Sequence, residues 1–316
     1  MKIVSFSILA LLCITAIYSC ADCFSVNPML KQTKEKLARL FGANTKTEIF
    51  QKDIPRTTQK TLVVENTFGT IKIKTDWNQN VISLKALKKA TTENLVKISI
   101  EIDDNDTDTI SLKTVFQDSK VKGSVDYTLM VPKQMSIRLK TDKGTIKVKR
   151  FDGQVWATTE NGSIEIAHVN NKVSATVAQN GSISIEQSNG AIEAATHTGN
   201  IVINNAKQSV AATTTNGNIT LQTSEVPSTS SIQLSAGGTI AVYLPHETNA
   251  HVQAYSEKGK VFSDHYITLA SQTTKLNNQA WTQLQKSVEG TIGSGEADIT
   301  LASSAGSIKI MSEALA

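Results

Sequence analysis

Residues 155–172 read VWATTENGSIEIAHVNNK, and the units after them read VSATVAQNGSISIEQSNGA (173–191), IEAATHTGNIVINNAKQS (192–209) and VAATTTNGNITLQ (210–222). Each unit begins with an aliphatic residue, has Ala two positions later, and continues through a glycine into alternating aliphatic residues. Alternation with a period of two places one face of a strand inward. Each unit therefore predicts two short strands separated by turns.

The glycines of these units, Gly162, Gly181, Gly199 and Gly217, recur every 18 or 19 residues. Asn precedes three of them, and Asn-Gly pairs favour the positive φ of tight turns. The spacing of an aliphatic residue and a glycine seven positions later, or six or eight in one copy each, occurs nine times. The pairs are Leu62 and Gly69, Ile137 and Gly144, Val155 and Gly162, Val173 and Gly181, Ile192 and Gly199, Val210 and Gly217, Ile232 and Gly238, Val252 and Gly259, and Ile299 and Gly306.

One unit of this size cannot bury its own apolar face, so successive units are expected to stack. The stack predicts two internal ladders, formed by Ile164, Ile183, Ile201 and Ile219 and by Val155, Val173, Ile192 and Val210. Eight stacked units spaced by ~4.8 Å would extend over roughly 38 Å. The predicted fold is all-β: a right-handed β-solenoid-like stack of short two-strand rungs across residues 136–312. A β-sandwich with irregular strand order is the rival, and the short constant period argues against its long connections.

Residues 47–135 are less regular and predict an N-terminal β cap region on the same core. The predicted strands are Glu48–Phe50, Thr61–Val64, Thr70–Thr75, Val81–Leu87, Val96–Ile102, Ile110–Val115 and Ser124–Val131. Before them, residues 27–42 predict one short helix with an Asn cap, a Pro in its first turn and a Gly after its end. Its Leu-rich face favours a helix that closes the open end of the solenoid, and its Lys-rich face leaves binding to a membrane surface as the alternative.

The N-terminus predicts export. Lys2 precedes an apolar run, residues 3–17, and then the small residues of a signal-peptide cleavage site, so residues 1–19 are interpreted as a signal peptide. The run Ile17-Tyr18-Ser19-Cys20 resembles the lipobox of bacterial lipoproteins, which predicts lipidation of Cys20 and an anchor and spacer over residues 20–46. Ordinary cleavage after Ala21, giving a secreted protein, remains the alternative.

Cysteine and charge limit the remaining classes. The chain has 3 Cys, at positions 13, 20 and 23, so a disulfide framework or a zinc cluster in the body is excluded. Residues 1–152 carry 25 Lys and Arg against 16 Asp and Glu, whereas residues 153–316 carry 7 against 12. A basic half beside the anchor suits an anionic membrane or a polysaccharide, and solvated lysines on exposed strands would explain it equally well.

Six basic residues in that half alternate with aliphatic residues and are predicted to point outward. They are Lys72, Lys74, Arg138, Lys140, Lys147 and Lys149. If their strands lie near one another, they form a candidate patch for anionic lipid or lipopolysaccharide.

Several further motifs point to a family. The run Val125-Asp126-Tyr127-Thr128-Leu129-Met130-Val131-Pro132 leads into Lys143-Gly144-Thr145-Ile146-Lys147-Val148 and Asn161-Gly162-Ser163-Ile164, and later come Gly238-Thr239-Ile240-Ala241-Val242-Tyr243-Leu244-Pro245 and Gly290-Thr291-Ile292-Gly293-Ser294-Gly295. Across residues 47–312 the chain resembles the bacterial putative-adhesin β-strand-repeat family, in the style of the head domains of auto-transporter-like adhesins. The resemblance implies a β-solenoid and an envelope location. It implies no catalytic or binding residue.

Residues with the potential for chemistry are sparse. Asp104, Asp106 and Asp108 copy the first half of a calcium loop, but Thr109 replaces its Gly and Val115 its closing Glu, so they are only a weak metal candidate. The five His have no metal-ligand spacing, and no phosphate-binding loop is present. No enzyme, no cofactor and no nucleic-acid partner are predicted.

Two functions from different classes remain, with a third as a minor alternative. The first is an adhesin-like protein that presents its solenoid to an envelope polysaccharide, lipopolysaccharide, or a host or cell-surface ligand. The second is a structural or envelope-stress lipoprotein with no external ligand. The minor alternative is a β-helix polysaccharide-active enzyme, which needs paired carboxylates on an outward face. The predicted outward rows carry no such pair: they are Lys147, Glu165, Ser184, Val202 and Thr220, and Arg138, Trp156, Ser174, Glu193 and Ala211.

Overall fold

The structure is a computed structural model, and it describes residues 45–75, 80–269 and 285–312. These residues form two large β-sheets and one single-turn helix, α1 (Thr92–Leu95). Sheet A consists of β1 (Thr45–Pro55), β3 (Ile71–Lys74), β4 (Val81–Thr91), β7 (Gly123–Met130), β9 (Ile146–Phe151), β11 (Ile164–Val169), β13 (Ile183–Ser188), β15 (Ile201–Ala206), β17 (Ile219–Gln222), β19 (Ile240–Leu244), β21 (Val261–Ser263) and β25 (Ile308–Ser312). Sheet B consists of β2 (Thr61–Phe68), β5 (Ile98–Asp103), β6 (Thr109–Phe116), β8 (Ser136–Lys143), β10 (Val155–Asn161), β12 (Val173–Asn180), β14 (Ile192–Thr198), β16 (Val210–Asn216), β18 (Ser231–Ala236), β20 (Ala250–Ser256), β22 (Thr268–Leu269), β23 (Ser287–Ile292) and β24 (Ala297–Ser303).

In the middle of the chain, each rung contributes one strand to each sheet and the next rung stacks in parallel on it. In sheet A, Ile183 pairs in register with Ile164 on one side and Ile201 on the other. In sheet B, Val173 pairs with Val155 and Ile192. The two predicted internal ladders are therefore confirmed, and the regular parallel stacking of these rungs differs from the β-sandwich with irregular strand order considered as a rival.

The core lies between the two sheets and is almost entirely aliphatic. Ile164, Ile183 and Ile201 are fully buried, and the Ala residues at the third position of each unit are buried opposite them. Small side chains at that position keep the interior thin. The result is a solenoid whose stability comes from aliphatic contacts between neighbouring rungs, at about 25 cal/mol for each Å² of apolar surface removed from water.

Threonine and serine also line the interior, in a column beside the glycine turns. Thr196 Oγ donates to the Gly181 carbonyl oxygen at 3.0 Å, and Thr214 Oγ donates to that of Gly199 at 2.9 Å. Each donor lies one rung above its acceptor, so the column satisfies turn carbonyls that the sheet ladders leave unused. Val177 occupies this position in its own rung, in register with Thr196.

At both ends, the stacking order differs from the chain order, contrary to the prediction that successive units stack. Strand β6 lies outside β2, and β7 lies outside β3. At the other end, β24 and β25 lie between the rung of β18 and β19 and the rung of β20 and β21. Antiparallel strands then extend the sheets: β1 and β4 in sheet A, and β5, β22 and β23 in sheet B.

All seven strands predicted between residues 47 and 135 are present, with shifted ends. The signal peptide, Cys20 and the helix predicted over residues 27–42 lie outside the described residues. Among the described residues, no helix has the length and apolar character needed to cross a membrane. The right-handed winding and the proposed domain boundaries stay predictions.

Candidate interaction surface

The outer face of sheet A carries a group of lysines at its N-terminal end. In β3, Ile71 and Ile73 point into the core while Lys72 and Lys74 are exposed. Strand β9 begins with the same pattern: Ile146 and Val148 are buried, Lys147 is half-buried and Lys149 is exposed. Lys72 is the direct register partner of Lys147, so adjacent strands about 4.8 Å apart bring the two lysines side by side.

A fifth lysine, which the sequence did not assign to this patch, extends it. Lys85 of β4 lies opposite Thr128 of β7, and Thr128 lies opposite Lys72. Lys85, Lys72 and Lys147 therefore follow one row across four strands. We call Lys72, Lys74, Lys85, Lys147 and Lys149 the lysine face. The alternation in Val81–Leu87 predicts a strand, but only the tertiary structure places that strand antiparallel beside β7.

Acidic residues limit the lysine face on one side. Lys147 Nζ lies 2.8 Å from a carboxylate oxygen of Glu165, the next residue in its row. Both side chains remain partly exposed, so this ion pair stabilises the fold only slightly. Its main effect is electrostatic: the positive surface ends at β11, and the row continues through the uncharged Ser184.

Arg138 and Lys140 do not join this face, because β8 belongs to sheet B and their side chains point to the opposite side of the solenoid. The Arg138 guanidinium lies 4.8 Å from the centre of the Trp156 ring, a cation–π contact. Lys140 is the register partner of Glu65. The six basic residues therefore form two separate groups, and only the group on sheet A is a continuous positive surface.

The acidic candidate for metal binding is the tip of the β5–β6 hairpin. Asp106 accepts hydrogen bonds from the backbone N–H groups of Asp108 and Thr109, at 2.8 and 3.3 Å. Asp103 holds Asn105 in the same way. These carboxylates stabilise the turn. Within residues 45–75, 80–269 and 285–312, no group of three or more His, Cys, Asp or Glu side chains is placed to hold a metal ion.

An open surface pocket of about 460 Å³ lies at the N-terminal end, where β2 and β6 end, and its lining includes Phe68, Phe116 and Val121. The two Phe rings pack edge to face, with centroids 5.9 Å apart. Beneath it, the Tyr127 hydroxyl and Thr114 Oγ form a buried hydrogen bond of 2.6 Å. Burial raises the pKa of Tyr127 to about 12, and the hydrogen bond to Thr114 opposes part of that rise.

The two outward rows of the central rungs each contain one carboxylate among the described strands. In sheet A, Glu165 is followed by Ser184 and Val202. In sheet B, Glu193 lies between Ser174 and Ala211. Neither of these rows places two carboxylates on directly adjacent strands.

The glycine turns, the parallel rungs and the aliphatic core identify the family. A model of the Toastrack DUF4097 family matches residues 56–311. The chain belongs to the Toastrack DUF4097 family. The resemblance to an adhesin-like strand-repeat family is thereby confirmed, and this Toastrack chain has the all-β architecture with long parallel sheets that the repeat predicted. No curated protein is significantly similar to it.

Solved structures that match most of this Toastrack chain share little sequence with it. A "putative cell adhesion protein" from Clostridium sporogenes is 12% identical, with 85% of this chain and 100% of that chain covered and a TM-score of 0.27. A "putative adhesin" from Bacteroides fragilis is 13% identical, with 83% and 97% covered and a TM-score of 0.42. A "putative lipid binding protein" from Parabacteroides distasonis is 10% identical, with 83% and 96% covered and a TM-score of 0.30.

Proposed function

We propose that this Toastrack protein is an exported, non-catalytic component of the cell envelope that uses its solenoid as an adhesin-like interaction surface. Its lysine face holds it against an anionic lipid or lipopolysaccharide surface. The observation that supports this most directly is that Lys85, Lys72 and Lys147 lie in one row on the outer face of sheet A. Each lysine near an anionic membrane contributes ~1 kcal/mol, which salt screens over ~8–10 Å.

A lipid anchor at Cys20 would place this face close to the membrane. Residues 20–44 connect the lipobox to β1, and β1 lies at the same end of sheet A as the lysine face. Intact-mass analysis of the membrane-extracted protein tests the anchor. A diacyl or triacyl adduct on Cys20 supports it, whereas an unmodified chain beginning at Asp22 argues for a secreted protein.

Vesicle co-sedimentation tests the lysine face itself. Binding is expected to rise with the fraction of anionic lipid and to fall with salt. The pair Lys72→Gln and Lys74→Gln removes two charges from the face and is expected to weaken binding by at least tenfold, since two lysines at ~1 kcal/mol each correspond to roughly thirtyfold.

Sheet B offers the matched control. Arg138→Gln with Lys140→Gln removes the same charge from the opposite side of the solenoid and is expected to leave vesicle binding almost unchanged. Equal losses from the two pairs would show that only net charge matters. Binding that does not depend on lipid charge would indicate that the lysines only keep the exposed strands soluble.

A structural or stress-related lipoprotein without an external ligand is the second candidate. The outer face of sheet B favours it, because ion pairs between Lys113 and Glu65 and between Lys172 and Glu193 compensate part of its charge and leave less for a ligand. Protease treatment of intact cells separates the two: a surface-exposed adhesin-like protein is cleaved, and one held inside the envelope is spared.

A further inference from the structure

Strand β1 forms the N-terminal edge of sheet A and is unusually long for an edge strand. It pairs with β4 through eleven consecutive register pairs, from Thr45 with Thr91 to Pro55 with Val81. Its other side faces no strand within the part of the chain that the structure describes. An edge of this kind presents a row of backbone donors and acceptors that another strand can join.

The two faces of β1 differ in character. Ile54 points into the core and is buried, and Phe50 packs against the core from the same side. Glu48 and Lys52 share that inner side, by alternation, and both are exposed. Glu48 Oε1 also lies 2.9 Å from Nζ of Lys88 on β4, so a contact with a second chain would add to this intrachain ion pair. The outer side carries Ile49, which is 58% exposed. A strand that pairs with this edge must therefore place its own inner side chains on the same side of sheet A as those of β1.

We propose that a second copy of this chain occupies this edge, with the two β1 strands antiparallel and Phe50 of each copy at the two-fold axis. In this register, Glu48 lies opposite Lys52 of the second copy and Lys52 lies opposite its Glu48. Directly opposite residues in antiparallel strands have Cβ atoms about 4.5–5.5 Å apart, close enough for two ion pairs.

Charge complementarity selects this register over its neighbours. A register shifted by one residue would place inner side chains of one copy opposite outer side chains of the other. Only registers shifted by two residues therefore compete with the proposed one. One such shift places Lys46 opposite Lys52, which is repulsive. The other places Glu48 opposite the apolar Ile54 and Lys52 opposite Phe50. Among these three registers, only the Phe50-centred one pairs opposite charges.

This pairing would continue sheet A across both copies and bring both lysine faces to the same side, because the two-fold axis is perpendicular to the sheet. Eleven residues along one edge bury less than the ~1,200 Å² typical of stable complexes. The dimer is therefore expected to be weak in dilute solution and to depend on protein concentration. The inference stands on the β1 edge alone and is independent of vesicle binding.

Sedimentation velocity of the mature chain over a concentration series tests it. Lys52→Glu places like charges opposite each other and is expected to weaken dimerisation at least tenfold. Adding Glu48→Lys and Lys88→Glu exchanges the charges at the edge while keeping opposite charges at positions 48 and 88 within the chain, and is expected to restore it. Lys113→Glu, the same charge change on sheet B, is the control and is expected to have no effect. A wild-type chain that stays monomeric throughout, or a triple variant that fails to recover, overturns the proposal.

Cysteine cross-linking tests the register in a background with Cys20 and Cys23 changed to Ser. A mixture of Ile49→Cys and Gln51→Cys chains is expected to form disulfide-linked dimers under mild oxidation, because these positions face each other. Neither variant alone is expected to do so. Cross-linking of Ile49→Cys with itself would indicate a different register and contradict the proposal.

Discussion

Gly181 lies directly against Gly162 of the preceding rung, and a Cβ atom on Gly181 would stand 1.8 Å from the Gly162 carbonyl oxygen. Gly181 also has a φ of +151°, which L side chains rarely adopt. The same contact repeats between Gly199 and Gly181 and between Gly162 and Gly144, at 2.1 and 1.9 Å. The repeated glycine is therefore required both by backbone conformation and by the distance between rungs.

We expect Gly181→Ala to destabilise the protein by more than about 3 kcal/mol, because the clash is with backbone atoms of a stacked rung that cannot move independently. The control is Ser184→Ala, an exposed outward position three residues away, for which a change within about 0.5 kcal/mol is expected. Urea unfolding followed by circular dichroism measures both. Similar unfolding midpoints for the two variants would show that the glycine turns can shift enough to accommodate a Cβ atom.

The threonine column provides a pair of opposite substitutions. Thr196→Val removes the hydroxyl that reaches the Gly181 carbonyl oxygen and is expected to cost about 1 kcal/mol. Val177→Thr adds a hydroxyl at the equivalent position, within reach of the Gly162 carbonyl oxygen, and is expected to raise the melting temperature. Thermal unfolding of both variants measures the effects. Shifts in the same direction would contradict a stabilising role for the column.

Tyr127 makes stability sensitive to alkaline pH. Its pKa is raised from 10.0 to about 12, so between these values the folded state keeps a proton that the unfolded state loses. The free energy of unfolding is then fully maintained below pH 10 and decreases as the pH rises toward 12, by roughly 1.4 kcal/mol for each pH unit.

Tyr127→Phe is expected to remove this decrease while lowering stability at neutral pH, because Thr114 loses its hydroxyl partner. Urea unfolding at several pH values between neutral and 12 measures both effects. If the wild-type protein and the Tyr127→Phe variant lose equal stability as the pH rises, a group other than Tyr127 causes the alkaline sensitivity.

Much of the fold and part of the candidate site could be predicted because they depend on local patterns. The register of Ile164 with Ile183 follows from a constant repeat length, since equal units stack in the only way that keeps every aliphatic residue inside. The outward direction of Lys72 and Lys147 follows from alternation. Their proximity required knowing that β3 and β9 are neighbours, although Lys147 lies 75 positions after Lys72 in the chain.

The separation of Arg138 from the lysine face could not be predicted in the same way. Arg138 and Lys147 belong to one rung, and alternation makes both point outward. The two strands of a rung lie in different sheets, however, so their outward side chains point to opposite sides of the solenoid. Strand alternation specifies the face of a sheet, and only the path of the chain through the turn between strands specifies which sheet.

The sequence by itself determined the all-β class, the 18-residue rung, the aliphatic ladders and the glycine turns, because each depends on residues close in the chain. Only the tertiary structure decided the rung order at the two ends, where the cost of longer connections is offset by burying otherwise exposed core surface. It also decided the corner after sheet A. Arg150, His168, Gln187 and Asn205 adopt φ values of 57, 57, 57 and 54° there. These residue types share no turn signal, so stacking on neighbouring rungs, rather than local preference, holds them in the left-handed conformation.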